Sequence, residues 1–258
     1  MRTSRHDGRW ERLAVSVAIS LGLVATAHAQ RGEGPPQPPA RAAAPIDLTG
    51  YWVAEITEDW RWRMVTPAKG DYSSIPLTLA SQKIADAWDP ARDEAAGEQC
   101  RSYGAPGLMR GPTRLRLSWR DDATLQVETE YGTQTRLLHF ASAPAGTPSW
   151  QGESRARWET PPAGRGDGAA AATSGTLVVR TTNLRPGYLR KNGVPYGAAT
   201  TMTEYWDVVR GGSGAQRILL LIEVVDPQYL RTPWVTAVHF KKEADGAKWD
   251  PTPCSSRW

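Results

Sequence analysis

Between residues 114 and 240 one strand-length stretch follows another, and no helix-length stretch separates them. Residues 114–119, 124–131 and 133–140 each alternate apolar and polar side chains. Asp121-Asp122 and Gly132 supply the turns between them, which predicts three antiparallel strands. Residues 150–159, 176–182 and 200–209 add three more. Residues 216–225 and 234–240 form a closing hairpin bracketed by Asp226-Pro227 and Pro233-Trp234. An alternating strand after the turn at Asp47-Leu48-Thr49-Gly50 opens the set. Strands in this number, with no helices between them, exclude a parallel sheet built on helical crossovers. The expected fold is mainly β: a single antiparallel β-barrel of about nine or ten strands with one short helix. Closure removes the edge strands, and a barrel of this size can hold one small ligand.

The helix is expected within residues 79–96, with Ser81 as N-cap and Ile84, Ala87 and Trp88 at helical spacing; Pro90 interrupts it. Residues 58–76 break every simple period. Trp60 and Trp62 alternate there with Arg61 and Arg63, and Pro67, Gly70 and Pro76 forbid a long regular element. A loop this long and this aromatic is expected either to plug one end of the barrel or to touch a ligand. Residues 161–174, rich in Gly and Ala, read as a mobile hairpin tip.

The first 29 residues read as a signal peptide. Arg9 and Arg12 precede an apolar run over residues 13–24, and Ala27-His28-Ala29 supplies the small residues of a cleavage site. The run is shorter than the ~20 residues a bilayer span needs, so no stable span is expected after cleavage. Residues 30–46, full of Pro, Gly and Ala, read as an extended linker, and the barrel domain as residues 47–258. The expected location is therefore periplasmic or secreted. Removing the leader leaves 27 basic against 25 acidic residues. That balance, with the basic residues scattered, argues against a nucleic-acid partner. Cys100 and Cys254 are the only cysteines, and in an exported chain they are expected to pair. Two cysteines and two histidines, His139 and His239, do not make a Cys/His zinc site, so no metal and no cofactor are expected.

Twelve Trp and eight Tyr stand against two Phe. Nearly every ring therefore carries a polar handle, which favours pocket walls and rims over dry cores. No nucleophile elbow, phosphate loop or dinucleotide fingerprint is present. Chemistry would then fall to acid-base groups within strands. Glu223 interrupts the apolar run 218–225; a strand covered on both faces would raise its pKa towards that of a working acid or base. His239 ends the partner strand. Pairing Val225 with Trp234 puts Glu223 and His239 on opposite faces, whereas a one-residue slip puts them on the same face. Arg136, His139 and Glu204 are further polar groups within strands, and Arg136 can pair with a carboxylate on a ligand or on Glu204. Tyr188, Arg190 and Lys191 lie in a loop between Pro186-Gly187 and Asn192-Gly193, where either a functional loop or a solvated basic turn is expected, and Tyr72 belongs to the aromatic loop.

Gly50-Tyr51-Trp52 resembles the Gly-x-Trp opening of lipocalin-type barrels. The order Cys100, Pro106, Trp150-Gln151-Gly152-Glu153-Ser154, Trp158-Glu159, Thr176-Leu177-Val178-Val179, Gly193, Glu204, Asp226-Pro227 and Pro233-Trp234 is similar to a broad group of exported bacterial proteins with lipocalin-like β structure. The group is mostly without assigned function, so the resemblance implies a fold and a compartment and carries no catalytic residue over. The Gly/Ala insertion after Trp158-Glu159 departs from its pattern. Two functions fit these signals. One is a binding barrel for a small hydrophobic or aromatic molecule, contacted by Trp60, Arg61, Trp62, Arg63, Tyr72, Arg136, His139, Tyr188, Arg190 and Glu204. The other is a cofactor-free isomerase, lyase or hydratase using Glu223 and His239. A surface interaction protein is a third if the aromatic loop is exposed.

Overall fold

A computed structural model describes residues 38–142, 146–161 and 174–256. The expected signal peptide, residues 30–37 of the expected linker and residues 162–173 of the Gly/Ala insertion lie outside the described residues. In chain order the strands are β1 (Gly50–Glu55), β2 (Arg114–Asp121), β3 (Thr124–Thr129), β4 (Gln134–His139), β5 (Glu153–Glu159), β6 (Thr176–Thr182), β7 (Gly187–Arg190), β8 (Val194–Tyr196), β9 (Thr201–Arg210), β10 (Gln216–Val225) and β11 (Trp234–Lys242). Nine of them close a barrel in the order β1-β11-β10-β9-β6-β5-β4-β3-β2, while β7 and β8 form a separate hairpin.

Eight of the nine neighbouring pairs are antiparallel, and β4 and β5 run parallel, with Leu138 beside Ser154 and His139 beside Arg155. Parity requires this: a closed ring with an odd number of strands cannot alternate direction all the way round. The stretch 140–152, too long for a hairpin turn, carries the chain back to start β5 in the direction of β4.

Strand direction also sorts the connections. The segments 56–113, 130–133, 183–200 and 226–233 all leave and rejoin the barrel at one end, while the opposite end carries the short turns at 122–123 and 211–215. Thus four short helices, α1 (Trp60–Arg63), α2 (Leu79–Asp86), α3 (Pro90–Ala95) and α4 (Ala105–Leu108), and the β7-β8 hairpin build a cap on one end of the barrel. The N-cap of α2 is Thr78 rather than Ser81: the Thr78 hydroxyl accepts from the Ser81 amide at 3.2 Å, and the Ser81 hydroxyl donates to the Tyr229 carbonyl at 2.8 Å. Pro90 starts α3 as well as stopping α2, with Asp89 accepting from the Ala91 amide at 3.0 Å.

Alternate side chains of each strand point inward and fill the barrel. Trp52, Leu115, Leu117, Leu125, Leu138, Trp206 and Phe240 expose 2% of their surface or less, so a ligand chamber does not lie against them. The ligand-holding interior expected from barrel size is thus a packed core.

The described part of the expected linker, residues 38–46, is held against the barrel. Arg41 donates its amide to Asp122 O at 3.0 Å, Trp158 Nε1 donates to Ala40 O at 2.8 Å, and Ile46 packs on the core. Cys100 and Cys254 are disulfide-bonded across a separation of 154 residues. This ties the C-terminal stretch to the cap, where Thr252 donates its amide to Glu130 O at 2.9 Å and Ser255 donates its amide to the Tyr103 hydroxyl at 3.1 Å. A loop of that size makes the crosslink worth about 5 kcal/mol in the chain-entropy model.

Candidate functional site

The β10-β11 register pairs Glu223 with Val235 and Leu219 with His239. Glu223 and His239 therefore share a face, but it is the outer wall of the barrel, and four residues of strand, roughly 13 Å, separate them along β10. Glu223 is half-buried, and its outward neighbours Leu221 and Val225 are exposed, so β10 is not covered on both faces as its apolar run implied. An outer wall can carry apolar residues without being buried; length of run alone does not distinguish the two. His239 Nδ1 lies 3.1 Å from Glu58 Oε2. The two residues expected to act together are thus apart, and neither lines a chamber of the barrel.

Arg136 and Glu204 meet inside the barrel in a two-bond pair: Arg136 Nη1 donates to Glu204 Oε1 at 2.9 Å and Nη2 to Oε2 at 2.6 Å. Ser154 and Thr181 complete the cluster, their hydroxyls 2.8 Å apart and 3.4 and 3.3 Å from Arg136 Nη2. Side-chain exposures of 1% and 0% seal the pair from any ligand. Both residues, expected as ligand contacts, are structural. His139 is half-buried at the end of β4, across from Thr124.

The remaining candidates gather in the cap, where β7 separates two of the openings among the described residues. The first is a groove of about 350 Å³ lined by Ile84, Trp88, Pro186, Tyr188, Tyr196 and Tyr229 among others. Its organising residue is Asp93 on α3, which the sequence reading missed. Asp93 accepts from Trp88 Nε1 at 3.0 Å, from the Tyr188 hydroxyl at 2.9 Å and from Arg101 Nη1 at 3.0 Å. Trp88 and Tyr188 thereby stand edge to face, with centroids 6.2 Å apart, and Arg101 stacks 4.6 Å from the Tyr188 ring. Gly193, at φ +80°, lets the β7-β8 turn pass under Trp88; a Cβ there would overlap the indole. Tyr196 is 1% exposed, lines the groove, and its hydroxyl has no partner among the described protein atoms. Burial pushes the Tyr188 and Tyr196 phenols well above their ordinary range, so both stay protonated donors.

The second opening, about 30 Å³, lies on the other side of β7, lined by Trp62, Arg63, Ser102, Arg110, Tyr131, Arg190 and Lys191 among others. Arg63, Arg110 and Arg190 are all more than nine-tenths buried. Arg63 donates Nη1 to Glu58 and Nε to Arg110 O at 2.9 Å; Arg110 donates Nη2 to Asp59 at 2.9 Å and Nη1 to Thr236. Arg190 instead bonds uncharged oxygens: Asp71 O at 3.4 Å, Ser73 O at 3.0 Å and Ser74 Oγ at 3.1 Å. Burial, and after it the charge of Arg110, holds Arg190 down to about 10, and burial holds Lys191 down to about 8. Each of three cations rests on a ring: Arg110 over Trp234, Arg190 over Trp62 and Lys191 over Tyr131.

Trp62 donates Nε1 to Asp71 at 3.0 Å, and Arg61 also pairs with Asp71, which these two bonds hold at a pKa of about 2. Trp60 is 64% exposed and Arg61 stays at the surface, so of the loop's four residues only Trp62 and Arg63 reach an opening. Tyr72 donates to Asp86 at 2.7 Å and lines neither opening. Trp88, Asp93, Arg101, Arg110 and Tyr196 are the site residues sequence reasoning passed over. Their one visible signal was position: all lie in connections between barrel strands.

Among the described residues, no group of three or more His, Cys, Asp or Glu side chains is placed to hold a metal ion. No helix among them is long and apolar enough to cross a membrane. No protein-family model, no curated protein and no solved structure matches this chain, so its functional reading rests on the cap's own geometry.

Proposed function

We propose that this is an exported barrel that binds a small hydrophobic or aromatic molecule, and that the groove over α2, α3 and β7-β8 is where it binds. One observation carries the reading: about 350 Å³ of space walled by four aromatic rings, Trp88, Tyr188, Tyr196 and Tyr229. Pockets of this size, mostly apolar with a few fixed polar groups, are typical of small-molecule sites. Asp93 holds the Trp88 and Tyr188 rings at fixed angles, so a planar ligand meets a prearranged wall and little side-chain entropy is lost on binding. Tyr196 contributes its ring, with its hydroxyl packed behind it against Gly104 and Gly187. Export accords with the disulfide, since such bonds persist in oxidising compartments. Membership of the exported lipocalin-like group is part of the same proposal.

The test is a panel of small aromatic and alicyclic compounds, scored by thermal shift and calorimetry on the full-length protein. A binder is expected to raise the melting temperature of the parent protein, to bind Tyr196→Phe nearly as well, and to lose affinity at least tenfold in Trp88→Ala. A panel that yields no shift and no heat, or a binder indifferent to Trp88→Ala, removes the groove as the site.

A further inference from the structure

Each of the four rings that wall the aromatic groove carries a polar atom, and three of those atoms are engaged elsewhere. Trp88 Nε1 and the Tyr188 hydroxyl donate to Asp93 at 3.0 and 2.9 Å, and the Tyr196 hydroxyl packs against Gly104 and Gly187. Those three rings offer a ligand hydrocarbon surface. Polar contact is left to Tyr229 and to the charged residues that share the wall.

Four charged side chains line the groove, and they cancel in pairs. Arg92 Nε lies 3.6 Å from Asp89 Oδ2, and Arg101 Nη1 donates to Asp93 Oδ1 at 3.0 Å. Asp226, whose carboxylate accepts the Tyr229 amide at 2.8 Å, also takes the Gly197 and Gln228 amides and the Thr200 hydroxyl; at 2% exposure it is sealed off. A charged ligand would give up hydration to enter and find no unpaired opposite charge in the wall. A neutral one meets no such cost.

Arg101 nevertheless has donors to spare. A guanidinium holds five N–H bonds in one plane and has no acceptor. Among the described residues the Arg101 side chain makes one hydrogen bond, through Nη1. Asp93 and the Tyr188 ring, whose centroid lies 4.6 Å away, hold the group in place, and 33% of the side chain stays exposed. Arg92, 83% exposed, keeps its donors in water.

We propose that the groove takes an uncharged ring compound bearing an acceptor oxygen such as a ketone, and that Arg101 is the residue that reads this oxygen. The inference rests on the groove being the binding site. The faces of the ligand ring meet Trp88, Tyr196 and Tyr229, and the oxygen takes the spare donors of Arg101. Size sets the ring count: a cavity of roughly 150 Å³ holds one benzene, so about 350 Å³ takes two fused rings with their substituent.

The probes share a naphthalene ring and differ in one substituent: 2-acetylnaphthalene, 2-ethylnaphthalene, 2-naphthoate and 2-naphthylmethylammonium, each dialysed to equilibrium against the full-length protein near neutral pH. On the parent protein the ketone is expected to bind at least tenfold tighter than either ion. In Arg101→Gln the ratio of ketone to hydrocarbon affinity is expected to fall at least fivefold, with the hydrocarbon itself held within about twofold. The ammonium should gain on the naphthoate there, because the lost cation leaves Asp93 unbalanced. Arg101→Lys, run beside it, keeps a cation for Asp93 but not the planar fork, and is expected to lower the same ratio at least twofold. Either ion binding as tightly as the ketone overturns the uncharged class and leaves the groove standing. A ratio unchanged in both folded Arg101 variants, or lost instead in Tyr229→Phe, overturns the role of Arg101. Failure of all four probes to bind overturns the groove as the site, and this inference with it.

Discussion

The barrel interior and the cap each bury arginine, and they treat it in opposite ways. Inside the barrel, Arg136 faces one carboxylate, Glu204, in a bidentate pair, with Ser154 and Thr181 adding oxygen atoms around it. In the cap, Arg63 and Arg110 pair with Glu58 and Asp59 beside a small opening, while Arg190 bonds only uncharged oxygens. The first arrangement sets charge against charge and leaves no room, with Arg136 Nε its one guanidinium nitrogen lacking a partner among the described atoms. The second leaves Arg63 Nη2 and Arg190 Nε without one and keeps space beside the cluster. Burial of charge by itself therefore says little about function; what separates the two arrangements is whether space remains beside the charge.

The contrast is most sharply broken in the interior. Glu204→Gln leaves the Arg136 guanidinium uncompensated in a sealed core and is expected to lower unfolding free energy by about 3–5 kcal/mol, measured by urea denaturation. Replacing both partners at once, Arg136→Met with Glu204→Leu, is expected to regain most of that loss. If the single substitution is harmless, the interior pair is not the closed unit described here. Next in size is the crosslink that fastens the C-terminal stretch to the cap: Cys100→Ser with Cys254→Ser is expected to cost about 2–5 kcal/mol, read from the same denaturation curves.

A smaller effect is expected at the turn beneath the groove. Gly193→Ala forces an L side chain into φ +80° and against Trp88, with an expected cost of about 1–3 kcal/mol and weaker aromatic binding.

The cap should carry a pH signature at alkaline pH, to which Lys242 on β11, also lowered by burial, adds. Burial lowers Lys191 from its ordinary 10.5 to about 8, so the native protein sheds this proton before the unfolded chain does. From about pH 8 to 10.5 the unfolded state holds more protons, and stability should rise with pH across that window; below it, the cost of burying the ammonium is fully present. Arg190, at about 10, adds to the rise only near the top. The Lys191 ammonium rests on the Tyr131 ring. The slope should flatten in Lys191→Met, in thermal melts taken at stepped pH.

The smallest effect belongs to the outer wall. Glu223→Gln and His239→Ala are expected to change stability by less than about 0.5 kcal/mol and to leave the affinity of a groove ligand unchanged. A large loss of binding in either would move the site out of the cap.

The strands were legible because alternation has a period of two, and a half-buried strand imposes that period on its residues whatever its neighbours do. Residues 114–140 and 216–240 announced β2, β3, β4, β10 and β11, and the lone cysteine pair announced the disulfide. The helix break at Pro90 could be read for an equally local reason, since proline lacks an amide hydrogen. Closure into a barrel followed from the strand count and the absence of crossover helices.

Everything that depends on which residues meet was decided in three dimensions. The one parallel pairing comes from the parity of nine strands, which no single strand encodes. Glu223 looked buried because its strand is apolar at every other position, yet a β10-β11 register one residue from the symmetric pairing put it on the outer wall beside Val235. Arg136 and Glu204, 68 residues apart, became a sealed pair only once β4 and β9 pointed both inward. Asp93 and Arg110 carried no local mark at all. Their roles arise from connections that the strand directions gather at one end of the barrel, and contacts between distant segments leave no periodic trace in the sequence.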